Sequence, residues 1–282
     1  MNELLAYTFV QRGLIGAAII GASCSLIGVF VVLKGMSYIG SGIAHGCLAG
    51  VALAFLMGWN PLLLSMISAL IMVVLIELLN RNSQLKMDTS IGVMFSFALA
   101  LAVLFIGMLK KYTPEIMTYL FGNLLRVTTQ DLWVMGSVSL VVFLVIFLFF
   151  KELQFSTFDA EKAELSGIPS GLISLMLSIL MALTIVVSLQ AVGELLVLAL
   201  IILPASTALQ LTTSLKKMIW ISMILGIFAS LSGLIAAFYL DAPSGSTIVM
   251  LLGVAFFTAI FFKKIKNNHL SRMERVKNIE KI

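Results

Sequence analysis

Residues 131–150 read DLWVMGSVSLVVFLVIFLFF, twenty positions of which only Asp131 is charged. At 1.5 Å rise per residue a helix of that length covers about 30 Å, the thickness of a bilayer's hydrocarbon core. Working outward, comparable apolar runs occupy roughly 14–33, 43–57, 61–79, 90–109, 171–191, 194–212, 218–240 and 246–263. That makes nine. The run at 43–57 is short and Gly-rich, so eight full spans plus one partial, tilted or broken element is an equal reading. The predicted fold class is an all-α polytopic membrane protein with eight to nine transmembrane helices. Leu14–Leu33 is too long for a signal-peptide core and no small-residue cleavage site precedes Lys34, so it reads as a retained helix.

Composition agrees. Of 282 residues, 61% are hydrophobic without counting 21 Gly, and 11% are charged, against 45–50% apolar with Gly included in an average soluble domain. With a mean hydropathy of +1.13, too few polar residues remain to cover a water-facing surface of this size. A soluble enzyme, a disordered chain and a disulfide scaffold are excluded. Cys24 and Cys47 lie in separate runs without CxxC spacing, which removes a zinc cage and reads as packing by reduced thiols.

The net charge is +5, and its placement sets an orientation, because short cytoplasmic loops accumulate Lys and Arg. Nine spans with the N-terminus outside put Lys34, Arg81, Lys86, Lys151, Lys162, Lys216, Lys217 and seven tail residues inside, against Arg12, Lys110, Lys111 and Arg126 outside: fourteen against four. The C-terminus is then cytoplasmic, with a membrane domain over 1–265 and a basic tail over 266–282. The basic excess marks a membrane flank, so no nucleic acid is expected as a partner.

Three connections stand out. In 110–130, Ile116, Tyr119, Leu120 and Leu124 recur at helical spacing, which predicts a short interfacial helix. The turn 241–246, DAPSGS, reads as tight or re-entrant. The inside loop 151–170, KELQFSTFDAEKAELSGIPS, carries helix punctuation: Ser156 or Asp159 as N-cap, Glu161 in the first turn, Gly167 as a left-handed stop, Pro169 blocking continuation. It predicts about two turns of helix outside the membrane.

Ionisable groups inside apolar runs are costly and therefore functional candidates. His45 shares one helical face with Ser41 and Ala49, while Gly42, Gly46 and Gly50 form a second stripe. Two readings stand for His45: a ligand on a narrow cation route, or an imidazole bonded to a backbone carbonyl. Glu194, at the head of its run, either faces a vestibule or lies at headgroup depth. Glu77 reads as an interfacial residue paired with Arg81 at i+4. Pro204 frees a carbonyl that Ser206, Thr207, a neighbouring helix or water must re-satisfy, as a kink or a moving gate. No GxxxxGK[ST], GxSxG or HExxH occurs and no intramembrane Asp pair, so no catalytic constellation is visible. Secondary transporters carry several intramembrane ionisable groups, and this chain has at most two. An energising partner docking at 159–166 is favoured, with a gradient-driven secondary carrier of metal or small solute as the alternative.

Five blocks carry a family resemblance: GVFVVLKGMSYIGSGIAHGCLAGVALAF from Gly28, DTSIGVMFS from Asp88, FDAEKAELSGI from Phe158, LLVLALIILPASTALQL from Leu195 and PSGSTIVMLL from Pro243. In this order and spacing, over Leu14 to about Phe262, the chain resembles the membrane permease subunits of bacterial ABC importers for zinc, manganese and related divalent metals. The resemblance implies a homodimer in a bacterial or archaeal plasma membrane, two ATPase subunits beneath it, and delivery by an extracytoplasmic metal-binding protein. It implies no cofactor bound by this chain, with ATP and Mg used by the partner. It implies a coupling helix at about 156–168, with Phe158, Asp159, Ala163, Gly167 and Ile168 seated against the ATPase. It places the block holding His45 on the metal route; from the residues themselves, Ser41 and Glu194 are further candidates for that route and Pro204 for its gate or kink. Relatives commonly carry an Asp four residues before the His, where this chain has Ser41. Zinc is the expected cargo because a lone imidazole suits it, with manganese next.

Overall fold

A computed structural model of the chain describes residues 7–82, 87–109, 122 and 124–279, and side chains outside 81–82, 125 and 266–279. Among the described residues, nine helices are long and apolar enough to cross a membrane. In chain order the helices are α1 (Thr8–Leu33), α2 (Ile39–Met57), α3 (Pro61–Asn82), α4 (Met87–Met108), α5 (Thr129–Leu148), α6 (Phe150–Phe158), α7 (Ala160–Leu165), α8 (Ser170–Val192), α9 (Glu194–Leu211), α10 (Leu215–Tyr239) and α11 (Ser244–Ile279). The Gly-rich second run is thus one continuous helix of 19 residues. Its glycines let α3 approach: a Cβ at Gly46 would lie 2.3 Å from Met72, and one at Gly50 2.1 Å from the Ser68 hydroxyl. The expected run 131–150 instead breaks at Phe149, where α6 begins. The interfacial helix expected in 110–130 falls largely outside the described residues. Its described end is a 3-10 turn, Leu124–Arg126. The DAPSGS segment forms a tight turn with Asp241 at φ +48, and Ser244 opens α11.

Helices α1, α2 and α8 are the most enclosed, and α5 and α11 the least. The outer helices turn Phe147 and Phe257 outward, which suits lipid contact. Inside, α1 seats against α9 and α10 through small residues. A Cβ at Gly28 would fall 1.8 Å from the Ile201 carbonyl oxygen, and one at Gly21 2.7 Å from that of Gly226. Pro204 cannot donate to the Leu200 carbonyl. Ser25 of α1 answers that loss by donating its hydroxyl to Leu200 O at 3.4 Å, while Ser222 of α10 donates to Ser25 O at 2.9 Å. α9 continues through the proline. Thr207 bonds its own Leu203 carbonyl.

These contacts fix the depth of α9. Ser25 lies 17 residues, about 25 Å, from the Thr8 end of α1, and Leu200 lies six residues, about 9 Å, from Glu194. The start of α9 is thus level with a point about 16 Å along α1 from its Thr8 end.

Candidate functional site

At that depth the structure joins the two ionisable residues singled out from the sequence. His45 Nδ1 lies 2.9 Å from Glu194 Oε1 and 3.0 Å from the Ser41 carbonyl oxygen. His45 is 12 residues, about 18 Å, from the Met57 end of α2, which matches the depth obtained along α1. Glu194 is buried, because the α8–α9 turn lies inside the bundle. Gly193 makes that turn at φ +78, and Gly122 lies so close above it that a Cβ there would fall 2.0 Å from the Val192 carbonyl carbon.

The carbonyl contact expected of His45 is present, and Glu194 adds a second acceptor. A single nitrogen faces two acceptors, so in the neutral ring the proton sits on Nδ1 and the lone pair on Nε2. Nε2 has no hydrogen-bond partner among the described residues. An imidazole that donates one N–H to a carboxylate or carbonyl and offers the other nitrogen is arranged as metal-binding histidines are. Glu194 retains a second oxygen, and the side chains are 15% and 11% exposed. The ring of Phe95, on α4, meets His45 edge-on at 4.5 Å between centroids. Ser41 contributes its backbone carbonyl through i, i+4 geometry. Among the described residues no group of three His, Cys, Asp or Glu could hold a metal. A pair of ligands of mixed type is suited to brief contact with a passing cation, since tight coordination would trap it. Beside Leu195 and Leu196 opens a cavity of about 490 Å³, lined also by Gly122, Asp241, Pro243 and Ser246.

The second candidate region is α7. Asp159 caps it, accepting the Lys162 N–H at 3.0 Å, and pairs with Lys162 Nζ at 2.7 Å. The Lys162 ammonium and N–H hold the Asp159 carboxyl below its ordinary range. Ser156 lies inside α6, so it is not the cap. Gly167 at φ +83 stops the helix, with its N–H on Glu164 O and the Ile168 N–H on Ala163 O, both at 2.9 Å. This is a Schellman closure. It assigns Ala163, fully buried, and Ile168, packed on the apolar core, to holding α7 against its own bundle. The outward residues are Phe158, 60% exposed, and Leu165, 89% exposed. Leu165 was missed in the sequence, although an exposed leucine following a capped turn is the available signal.

Glu77 reaches across to α8. Its Oε1 accepts from Ser174 and Ser178 of α8 at 3.5 and 3.4 Å, and the Arg81 side chain lies outside the described ones.

Comparison with known proteins adds the following. The ABC 3 transport family profile matches residues 6–263. The manganese transport system membrane protein MntC of Halalkalibacterium halodurans is 34% identical over 281 residues, covering 100% of this chain and 96% of its own length. The manganese import system permease protein ScaB of Streptococcus parasanguinis is 38% identical over 271 residues, covering 95% and 96%. Among solved structures, PsaBC from Streptococcus pneumoniae in complex with Fab superposes with a TM-score of 0.82 at 34% identity, over 92% of this chain and 93% of that one.

Proposed function

The chain belongs to the ABC 3 transport family, as a multi-pass permease subunit of a metal importer in the bacterial plasma membrane, and we propose that its cargo is divalent manganese. ATP hydrolysis belongs to a separate subunit. Two relatives named for manganese transport or import favour this ion over zinc, and so does the donor set. The preference for zinc rested on a lone imidazole, whereas His45 stands beside the Glu194 carboxylate, and carboxylate ligands suit manganese. The observation that carries the proposal is this nitrogen and oxygen pair inside the helix bundle.

In this reading two copies of the chain pair across the membrane, with the N-terminus outside. A solute-binding protein delivers the ion at the outer face, and two ATPase subunits grip α7 through Phe158, Leu165 and the turn at Gly167. The ion, stripped of part of its water, meets the free Nε2 of His45, whose other nitrogen Glu194 holds. The carboxylate offsets its charge in the low-dielectric interior. ATP-driven closure moves α7 and alternates access to the pair.

The test is uptake into proteoliposomes holding this chain with its ATPase subunit and binding protein. ATP-dependent accumulation of manganese in preference to zinc is expected. Preferential accumulation of zinc contradicts the cargo, and uptake without the ATPase contradicts the ABC mechanism in favour of a gradient-driven carrier.

A further inference from the structure

Where α9 ends and α10 begins, the bundle presents four exposed lysines. Lys216 and Lys217 lie in the first turn of α10, and Lys263 and Lys264 lie on α11. One contact brings them to a common level: Lys263 Nζ donates to Gln210 Oε1, in the last turn of α9, at 3.0 Å. Helix α11 also packs along both α9 and α10. Packed helices lie about 8–10 Å apart, so lysines on neighbouring helices can reach one anion between them.

Nothing on these helices neutralises the charge. No Asp or Glu occurs in 195–240 or in 242–273. Among the described residues none of the four lysines has an ion-pair partner, and Lys263 meets only a neutral amide. The start of a helix is already positive because its first N–H groups are unpaired, so it disfavours Lys216 and Lys217 further. A bound anion would relieve that repulsion.

The surface beyond the lysines decides which anion. From Lys216, the exposed Trp220, Ile224 and Phe228 follow at intervals of four along α10. Back from Lys264, the exposed Phe261, Phe257, Val254 and Met250 follow at intervals of three or four along α11. The buried residues lie elsewhere, Met218, Ser222 and Gly226 on α10 and Ile248, Leu252 and Ala259 on α11. Each helix therefore carries a cationic head on an apolar stripe turned away from its own packing. An acidic protein surface would match the lysines and leave both stripes unmatched. A phospholipid of net negative charge matches the whole feature, with phosphate on the ammonium groups and acyl chains along the stripes. Trp220 then stands at the boundary, where its ring is apolar and its N–H can meet a headgroup.

We propose that the lysine-bearing ends of α10 and α11 form a binding site for an anionic phospholipid, in the leaflet that the proposed orientation makes the inner one. The lipid neutralises Lys216, Lys217 and Lys264 beside the Lys263–Gln210 contact. The site is separate from the His45–Glu194 pair and from α7, and it does not depend on the identity of the cargo.

The experiment incubates the purified full-length chain in detergent with equal amounts of phosphatidylglycerol and phosphatidylcholine of the same acyl chains, and counts retained lipids by native mass spectrometry. The wild-type chain is expected to retain phosphatidylglycerol in preference by about tenfold or more. With Lys216→Gln, Lys217→Gln and Lys264→Gln combined, the preference should fall to about twofold or less. The unfolding midpoint in phosphatidylcholine should stay unchanged, because these side chains are exposed. Trp220→Ala should weaken retention of both lipids and leave their ratio near wild type. Raising the ionic strength should shrink the wild-type preference, a readout that needs no variant. Equal retention of the two lipids by the wild-type chain overturns the proposal. So does a preference that survives the triple change, which would assign it to the basic tail. In the complex with the ATPase subunit, protection of Lys216 and Lys264 from amine labelling by the ATPase and not by phosphatidylglycerol would make the lysines a protein contact and overturn it as well.

Discussion

The two regions that the account depends on, α7 and the His45–Glu194 pair, are built by opposite means. Helix α7 is specified within ten residues: an Asp cap, a left-handed Gly and a Pro beyond it. The pair is assembled from helices in separate halves of the chain. It exists only because α1 sets the level of α9 through Gly28 and Ser25. Local chemistry can place a docking element on a surface. Placing an ion contact inside the helix bundle takes long-range registration, and the two regions should fail differently when altered.

The largest expected effect is at the pair. Glu194→Leu should lower ATP-driven manganese uptake by about 10- to 100-fold, while Ser41→Ala, which retains the backbone carbonyl, should leave the rate near wild type. Uptake assays on the two variants check this, and equal losses would break the distinction between side-chain and backbone roles. Next is the registration itself. Gly28→Ala forces a Cβ against the Ile201 carbonyl and should cost about 1–3 kcal/mol of stability, read from unfolding of the purified chain in detergent. At α7 the effect should spare the membrane bundle. Gly167→Pro cannot adopt the φ of +83 found there. It should lower uptake about tenfold with unfolding unchanged, and Asp159→Lys should act similarly.

The smallest effect concerns pH. The Asp159 carboxyl is held below its ordinary range by Lys162. Its contribution to the cap is therefore present at and above the ordinary carboxylate pKa and disappears as pH falls through the depressed value. Amide exchange at Lys162 should stay protected down through the ordinary carboxylate range and open only below it. In Asp159→Asn, protection should not vary with pH over that range.

Much of the fold was legible because the bilayer imposes length. The nine apolar runs became nine spanning helices among the described residues, with ends shifted by a few residues. Asp159, Gly167 and Pro169 marked α7 because helix ends are settled by local hydrogen bonds. Periodicity could not show that Glu194 lies level with His45. A hydropathy run has length but no register against its neighbours, so the contact of Glu194 with His45 could not be read from it. For the same reason the i+4 neighbour of Glu77, Arg81, was visible in the sequence, and Ser174 and Ser178 on another helix were not. For Pro204 the sequence offered a neighbouring helix among its alternatives but could not name the residue, Ser25 on α1.

The central claim is that His45 touches the passing manganese ion through the nitrogen left free by Glu194. Pulsed electron paramagnetic resonance on Mn(II) loaded into the assembled transporter tests it directly. The account predicts nitrogen modulation from an imidazole that vanishes in His45→Gln. Modulation unchanged by that substitution would contradict it.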